Sequence, residues 1–280
     1  METRLAKGIE GIRMELGSAR FRGIGIIFSG SPGSVLLARI AGEVMGRDRV
    51  KLILVRSPLW HREALDFAAR WAEEFNFQVL TVEIEEEGLQ EVLENRPDRC
   101  YLCRKLMHRI IAGALPDRWG ICDPLTVETL ITQKYGTRAC SEDRIMLPLG
   151  DHGMGKFEVV RALSAMGLHW RGYRGVKCLA QMAYPGLSLK DRGMERLKVL
   201  GEVQHWVLGR YELKLLDHDT AVLKPLSDKP WGWEAVRDRL LAEGFKRVLM
   251  DVTHPAQPQM GTPMPEPPVP IRLLHQSPFE

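Results

Sequence analysis

Residues 23–46 read GIGIIFSGSPGSVLLARIAGEVMG, and this stretch decides the fold. The apolar run that ends at Phe28 predicts a buried strand, and the apolar residues from Val35 onward recur with helical spacing. A short loop of serine and glycine, Ser29 to Ser34, lies between them and is typical of a tight turn between two elements. We therefore predict a strand, a tight loop and a helix in direct succession.

The same alternation continues along the chain. VKLILVRS (residues 50–57) and FQVLTVEI (77–84) are continuous apolar runs of the kind found in parallel sheets, and WGICDPL (119–125) predicts a fourth strand. Helical patterns separate these runs. Strands that alternate with helices imply a three-layer α/β fold with a mostly parallel sheet flanked by helices. We assign residues 1–184 to this domain.

The pattern changes after residue 184. A helical stretch (187–209), two strands around Asp217–Asp219, a helix and a last strand (246–252) predict a small C-terminal α+β domain over residues 185–254. Residues 255–280 form a tail with seven prolines between Pro255 and Pro270. We expect this tail to be extended or disordered.

Composition sets broad limits on function. The chain is 45% hydrophobic and 27% charged, with a net charge of +3, which is ordinary for a globular protein and too small to indicate a nucleic-acid partner. The sequence shows neither the ~20 apolar residues of a membrane span nor the apolar segment of a signal peptide, so we expect a cytoplasmic protein. Five cysteines in that compartment indicate metal binding, catalysis or simple burial rather than disulfides.

The loop Ser29–Ser34 is the first candidate site. Its backbone amides lie beside a helix N-terminus at the carboxyl end of a strand, where anionic phosphate is favoured. The alternative is a plain tight turn in which Ser34 caps the helix. The loop resembles the PP-loop motif Ser-Gly-Gly-x-Asp-Ser of enzymes that cleave ATP to AMP and pyrophosphate, with Ser31 in place of the second glycine and Gly33 in place of the aspartate. Loss of that carboxylate removes a group expected to organise the loop and its metal ion.

Two cysteine segments extend the resemblance to one branch of this superfamily, the LarE-type ATP-dependent sacrificial sulfur transferases. Residues 97–104, PDRCYLCR, resemble the family's Pro-x-Arg-Cys-Tyr-x-Cys-Lys stretch, although a lone Cys-x-x-Cys is also compatible with half a zinc site, a redox pair or two buried thiols. No second such motif completes a zinc set, so we assign no metal site. Residues 178–184, CLAQMAY, resemble the segment whose cysteine donates sulfur. Arg174 and Lys177 should favour thiolate at Cys178, whereas the alternative interpretation is a buried small side chain.

The resemblance also suggests individual site residues. Cys178 would be the sulfur donor, and Glu202 would act as acid/base or orient the substrate. The predicted nucleotide-binding residues are Ser29, Gly30, Ser31, Gly33 and Ser34 of the loop, with Ser57, Glu128 and Lys214. Glu128 ends a segment similar to Asp-Gly-x-Asn-x-Asp of the family, and Glu212 and Lys214 stand where the family has paired arginines.

In such enzymes ATP with Mg²⁺ adenylates a carboxylate of a pyridinium dicarboxylate mononucleotide. Cysteine then forms a thioester, and elimination leaves a thiocarboxylate on the substrate, for nickel-pincer nucleotide cofactor synthesis, and dehydroalanine in the protein. Some relatives instead hold an iron–sulfur cluster on three clustered cysteines. Cys178 has no other cysteine within 37 residues, which disfavours that variant but leaves clustering in space open. The rival interpretations are a degenerate paralogue that binds a nucleotide or protein without turnover and another PP-loop adenylating enzyme, such as a tRNA thiolase or amide-forming ligase. We expect a homo-oligomer without membrane or nucleic-acid partners.

Overall fold

The computed structural model of the chain describes residues 2–18, 21–168, 178–207, 209–226 and 232–252. The first half contains α1 (Glu2–Ser18), β1 (Gly23–Ile27), α2 (Pro32–Met45), β2 (Val50–Arg56), α3 (Arg62–Glu74), β3 (Gln78–Glu83), α4 (Gln90–Leu93), α5 (Arg99–Ala114) and β4 (Trp119–Cys122). The second half contains α6 (Val127–Thr132), α7 (Lys134–Glu142), α8 (Pro148–Asp151), α9 (Lys156–Ala165), α10 (Arg192–Trp206), β5 (Tyr211–Asp217), β6 (Thr220–Pro225), α11 (Trp233–Ala242) and β7 (Arg247–Met250).

The main sheet has the strand order β3-β2-β1-β4, and every pairing in it is parallel. Every residue of β1 is buried, and β2 is nearly as enclosed, which is why both strands read as unbroken apolar runs. The order equals the first four strands of the common doubly wound fold. The predicted α/β class, a parallel sheet flanked by helices, is confirmed.

Helices cover both faces of this sheet. On one face α1, α2 and α9 pack around β1 through residues such as Ile12, Leu36 and Val159. On the other face α5 and α10 join β2 through residues such as Met107 and Leu197. In the part of the chain that the structure describes, no helix has both the length and the apolar character to cross a membrane.

A second, three-stranded sheet forms the C-terminal region, as the sequence indicates. β5 pairs antiparallel with β6, and β6 pairs parallel with β7 after the α11 crossover. Gln204 on α10 holds β5 in place, because its buried amide donates to the carbonyl of Tyr211 (2.8 Å) and accepts from the amide of Leu213 (2.6 Å). The two sheets share one hydrophobic cluster, and the domain boundary at residue 184 stays a prediction. The tail from residue 255 lies outside the described residues.

Candidate active site

The serine loop Ser29–Ser34 occupies the carboxyl end of β1, as predicted. Helix α2 begins at Pro32, and its N-cap is Ser31, whose hydroxyl accepts from the amide of Ser34 (3.4 Å). The alternative in which Ser34 caps the helix is therefore wrong, since the cap lies three residues earlier. Gly30 has φ of +65°, and a Cβ there would lie 2.7 Å from the ring of Phe67, so both backbone and space require glycine.

The hydroxyl groups of this loop bond to one another. Ser29 Oγ donates to Ser31 Oγ (3.2 Å), Ser31 Oγ donates to Ser34 Oγ (3.2 Å), and Ser34 Oγ donates to the Ser31 carbonyl (2.9 Å). Pro32 has no amide hydrogen, and the amide of Ser34 is already donated. The first turn of α2 thus offers an anion fewer amides than an ordinary helix start does.

Gly33 is the position at which the loop lacks the PP-loop aspartate. A Cβ there would lie 3.0 Å from the carbonyl oxygen of Pro124 and 3.1 Å from a methyl group of Leu149. Gly33 is buried in the first turn of α2, and Pro124 follows β4. A side chain at residue 33 therefore requires the Pro124 carbonyl and the Leu149 side chain to shift by a few tenths of an ångström.

Ser57 and the Cys178 segment meet at the same edge of the sheet. Ser57 follows β2, and its hydroxyl accepts from the amide of Leu59 (3.3 Å). An antiparallel bridge joins Trp60 to Cys178, and the amide of Leu179 donates to the Leu59 carbonyl (2.8 Å). The structure thus brings Cys178 to the carboxyl edge of the parallel strands, where ligands of doubly wound sheets bind.

In its described surroundings the thiol of Cys178 has a raised pKa, in contrast to the low pKa that the sequence suggests. Burial raises its pKa, and the nearby thiol of Cys100 adds to this, whereas two backbone amides and Arg99 act in the opposite direction with less effect. Arg174 and Lys177, on which the expectation of thiolate rested, lie outside the described residues. In the described surroundings the neutral thiol is favoured.

The side chains of Cys100, Cys103 and Cys178 lie close together in the fold, and we call them the thiol cluster. Burial raises the pKa of Cys103 to about 12, and the thiols of Cys178 and Cys100 contribute to that shift. The thiols therefore lie close enough to interact electrostatically, although the sequence separates Cys178 widely from the other two. The three cysteines cluster in space despite this separation, because α5 and the segment after residue 177 fold against one another.

Asn95 fixes this contact between the two cysteine segments. Its side-chain amide donates to the Tyr184 carbonyl (2.7 Å) and its oxygen accepts from the guanidinium of Arg99. The amide of Gly186 donates to the carbonyl of Asn95 (2.8 Å). One fully buried residue thus ties the start of α5 to the chain that follows Cys178.

Glu202 and Lys214 flank the Cys178 segment from the C-terminal region. Glu202 is exposed on α10, and its charge acts on His61, whose pKa is lowered by burial despite the opposing effect of nearby carboxylates. Lys214 pairs with Glu212 (2.8 Å) and donates to the Gln181 carbonyl (2.8 Å). Lys214 therefore holds the cysteine segment against β5.

Glu128 caps a helix. Both of its carboxylate oxygens accept from the amide of Lys156 (3.0 Å each), at the start of α9. Burial raises its pKa, but hydrogen bonds from its own amide, from Lys156 and from Thr126 outweigh burial, so the pKa lies below the ordinary value. The geometry gives Glu128 the task of holding α9, and its predicted contact with nucleotide gains no support.

Sequence reasoning missed a buried polar cluster beyond the end of β4. Arg104 forms an ion pair with Asp123 and approaches the sulfur of Cys140 (4.0 Å). His108 Nδ1 lies 2.8 Å from a carboxylate oxygen of Asp143. The only sequence signal is that Arg104 and His108 are four residues apart, and hence on one face of α5.

Comparisons with known proteins give partial likenesses. No protein-family model matches the chain. An uncharacterised protein of Methanocaldococcus jannaschii is 23% identical over 147 residues, 51% of this chain and 55% of that protein. An uncharacterised protein of Synechocystis is 27% identical over 175 residues, 61% of this chain and 65% of that protein. The pyridinium-3,5-bisthiocarboxylic acid mononucleotide synthase of Lactiplantibacillus plantarum is 30% identical over 83 residues, 30% of each chain.

Solved structures give weaker likenesses. An NH3-dependent NAD synthetase from Campylobacter jejuni matches with a TM-score of 0.45 and 16% identity, over 60% of this chain and 74% of that one. A glutamine-dependent NAD+ synthetase from Acinetobacter baumannii, in complex with ADP, matches with a TM-score of 0.47 and 17% identity, over 57% of this chain and 32% of that one. The chain thus spans only part, from 30% to 65%, of the length of the curated relatives that it matches.

Proposed function

We propose that this protein is an ATP-dependent adenylating enzyme that transfers sulfur from Cys178 to a carboxylate of a pyridinium dicarboxylate mononucleotide. The observation that carries the proposal is the attachment of the Cys178 segment to residues 59 and 60, just after Ser57 at the carboxyl edge of the sheet. The serine loop ends the neighbouring strand β1 at this edge. The partial similarity to the Lactiplantibacillus synthase supports the substrate class.

The proposed reaction balances in three steps. The substrate carboxylate attacks the α-phosphate of ATP, pyrophosphate leaves with Mg²⁺, and the thiolate of Cys178 then displaces AMP to form a thioester. Removal of the Cα proton and cleavage of the Cβ–Sγ bond leave a thiocarboxylate on the substrate and dehydroalanine at residue 178. Because burial favours the neutral thiol, a base must accept its proton. His61, whose lowered pKa keeps the ring neutral at pH 7, and Glu202 supply that base in our proposal.

The remaining roles follow from position. Ser29, Gly30, Ser31, Gly33 and Ser34 would hold the phosphates together with Ser57, while Lys214 would keep the cysteine segment in place through Gln181. The internal hydroxyl bonds of the loop have to open for its serines to donate to phosphate. The product would supply the synthesis of a nickel-pincer nucleotide cofactor.

The thiol cluster favours a second candidate function. Three neighbouring cysteines fit an iron–sulfur cluster, since such clusters are held by cysteine thiolates. When bound there, the cluster would supply the sulfur from outside the polypeptide, and Cys100, Cys103 and Cys178 would keep their sulfur atoms as its ligands. This variant requires all three cysteines, whereas the sacrificial route requires Cys178 alone.

One experiment separates these candidates from a nucleotide-binding paralogue without turnover. Anaerobically purified protein is incubated with ATP, Mg²⁺ and the dicarboxylate mononucleotide, and pyrophosphate release, intact mass and a peptide map are measured. The sacrificial route predicts that Cys178 loses the mass of one hydrogen sulfide molecule, that Cys178→Ser transfers nothing, and that Cys100→Ser retains transfer. The buried Cys122→Ser variant is the matched control.

The contrary outcomes are also distinct. Sulfur transfer that leaves the Cys178 thiol in place, and that disappears in Cys100→Ser, refutes the sacrificial route and supports the cluster. Nucleotide binding without pyrophosphate release, in folded protein under all these conditions, refutes both enzymatic candidates and supports the degenerate paralogue.

A further inference from the structure

Three side chains with metal-binding atoms, none of them part of the thiol cluster, meet beyond the end of β4. His108 comes from α5, Asp123 directly follows β4, and Cys140 comes from α7. One ligand atom from each lies within 4.8 Å of the others, and the three residues are 3%, 4% and 0% exposed. We call them the metal triad.

The triad suits zinc better than a hard cation. Imidazole nitrogen, carboxylate oxygen and cysteine sulfur are the donors that zinc takes, whereas magnesium and calcium prefer oxygen alone. Metal–ligand bonds of about 2.0–2.3 Å place the ligand atoms of a tetrahedral site roughly 3–4 Å apart. The ligand atoms therefore have to move closer together by up to about 1 Å, and a water molecule would be the fourth ligand of a tetrahedral site.

His108 provides independent support. Among the described residues nothing forms a hydrogen bond with its buried Nε2, while Nδ1 lies 2.8 Å from Asp143 Oδ2. A histidine that binds metal through one nitrogen characteristically donates the other N–H to a carboxylate. A metal ion at Nε2 would give this buried nitrogen the partner that it lacks among the described residues.

Two cations stand next to the triad and have to be accounted for. Lys105 pairs with Asp143, the carboxylate that orients His108. Arg104 pairs with Asp123 and also points a guanidinium nitrogen at the side-chain oxygen of Gln133 (3.4 Å). Arg104 thus neutralises Asp123 when no metal is bound, and a metal ion would compete with it for this carboxylate.

The site has a route from solvent. A cleft of about 820 Å³ lies between residues 87–92, which include most of α4, and helix α5, and its lining includes Lys105, His108 and Asp143. Divalent ions can therefore reach the outer side of the His108–Asp143 pair without unfolding the sheet. The cleft is lined by charges of both signs: Glu87, Glu91 and Asp143 are acidic, and Lys105 and Arg109 are basic.

We propose that His108, Asp123 and Cys140 bind a zinc ion that fastens helices α5 and α7 to the end of β4. The site would position Cys100 and Cys103, which lie on the first turns of α5. It would also fix the position of Asp123. This residue precedes Pro124, whose carbonyl oxygen faces Gly33 of the serine loop. This inference does not depend on the proposed sulfur transfer, since its readouts are metal content and absorption.

The test uses Co²⁺ as a spectroscopic substitute for zinc in the full-length, metal-free, reduced protein. A triple variant, Cys100→Ser/Cys103→Ser/Cys178→Ser, removes the thiol cluster, so that these cysteines cannot supply a thiolate ligand. We expect one equivalent of Co²⁺ to give a thiolate-to-cobalt charge-transfer band in both proteins. Zinc should displace the cobalt, and the as-purified protein should contain one equivalent of zinc.

Matched variants decide the assignment. Cys140→Ser and His108→Gln should lose the band, whereas Cys122→Ser, which removes a buried cysteine outside the triad, should keep it. Arg104→Gln leaves the triad intact and removes the competing cation, so Co²⁺ should bind more tightly. A purely structural ion pair would make Arg104→Gln less stable without any gain in metal affinity. Absence of the band in folded wild-type protein, or a band unchanged in Cys140→Ser, overturns the proposal.

Discussion

Gly33 faces the carbonyl oxygen of Pro124 so closely that a Cβ at residue 33 would lie 3.0 Å from it. The contact joins the start of α2 to the loop that follows β4, and β1 and β4 are the strands between which a doubly wound sheet binds its ligand. Gly33 stands in place of an aspartate, and Pro124 in place of a glycine, in the two motifs that the sequence resembles. Their proximity couples these two departures, because a side chain at residue 33 requires the carbonyl of residue 124 to shift by a few tenths of an ångström.

The first prediction concerns this pair. Gly33→Asp should destabilise the protein by about 1–3 kcal/mol, the usual effect of forcing atoms into a packed site. The penalty should shrink in a Pro124→Gly background, because glycine frees the φ angle that proline fixes and lets the carbonyl move. Chemical denaturation of the wild type, both single variants and the double variant completes a double-mutant cycle.

The same four proteins test the role of the loop in ATP use. If the absent carboxylate limits pyrophosphate release, the double variant should release more than the wild type, and Gly33→Asp alone should gain less. Additive stability changes across the cycle would contradict the coupling between residues 33 and 124. Rapid release by the wild type would show that another group already supports the metal ion.

The parallel sheet could be predicted from sequence because its causes are local. β1 and β2 are enclosed on both faces, so their apolar runs are unbroken, and each is followed by a helix with its own amphipathic pattern. The first helix boundary was less predictable. Two serines three residues apart, Ser31 and Ser34, are equally suited to capping, and only the backbone geometry selects Ser31.

The candidate site was less predictable, because its contacts are distant in sequence. Cys178 and Cys100 are far apart in sequence and become neighbours only in the folded chain. Burial there raises the pKa of the Cys178 thiol instead of lowering it. Glu128 matches a motif position by spacing, yet its carboxylate turns to the amide of Lys156. Spacing along a chain reports which residues share an element, not which elements pack together.

The second prediction concerns thiol reactivity. Burial raises the pKa of Cys178 and Cys103, so in the folded protein both should react with iodoacetamide at pH 7 more slowly than an ordinary cysteine, since the thiolate is the nucleophile. Their rates should rise as the pH increases beyond the ordinary thiol range. Peptide mapping after timed alkylation measures each site, and the same protein in denaturant is the control. Fast alkylation of Cys178 at neutral pH would show that cations outside the described residues lower its pKa.

The third prediction concerns the cap of α9. The pKa of Glu128 lies below its ordinary value, so the charged carboxylate stabilises the fold above the unfolded-state pKa, and this stability is lost as the pH falls through the folded-state pKa. Glu128→Ala should therefore cost about 1 kcal/mol at pH 7, and the cost should diminish in acid. Denaturation at a series of pH values tests this. A cost that is the same at pH 7 and in acid would contradict the assignment.

The last prediction is that Asn95 aligns the two cysteine segments. Its positive φ of 56° is tolerated by asparagine and glycine, and its side chain joins Arg99 to the carbonyl of Tyr184. Asn95→Gly keeps the backbone conformation but loses both hydrogen bonds, so it should cost about 1–3 kcal/mol. Asn95→Ala should cost roughly 1 kcal/mol more, because alanine is strained at this φ.

Asn95→Asp isolates the link to the Cys178 segment, because aspartate still accepts from Arg99 but cannot donate to the Tyr184 carbonyl. We expect this variant to remain folded, with Cys178 more quickly alkylated than in the wild type and Cys122, buried elsewhere, unchanged. Timed alkylation with peptide mapping, alongside denaturation of all three variants, measures both effects. If Cys178 in Asn95→Asp reacts at the wild-type rate, Asn95 stabilises the fold without positioning the cysteine, and the alignment depends on other contacts of the segment, such as the pairing of Cys178 with Trp60 and the bond from Lys214 to Gln181.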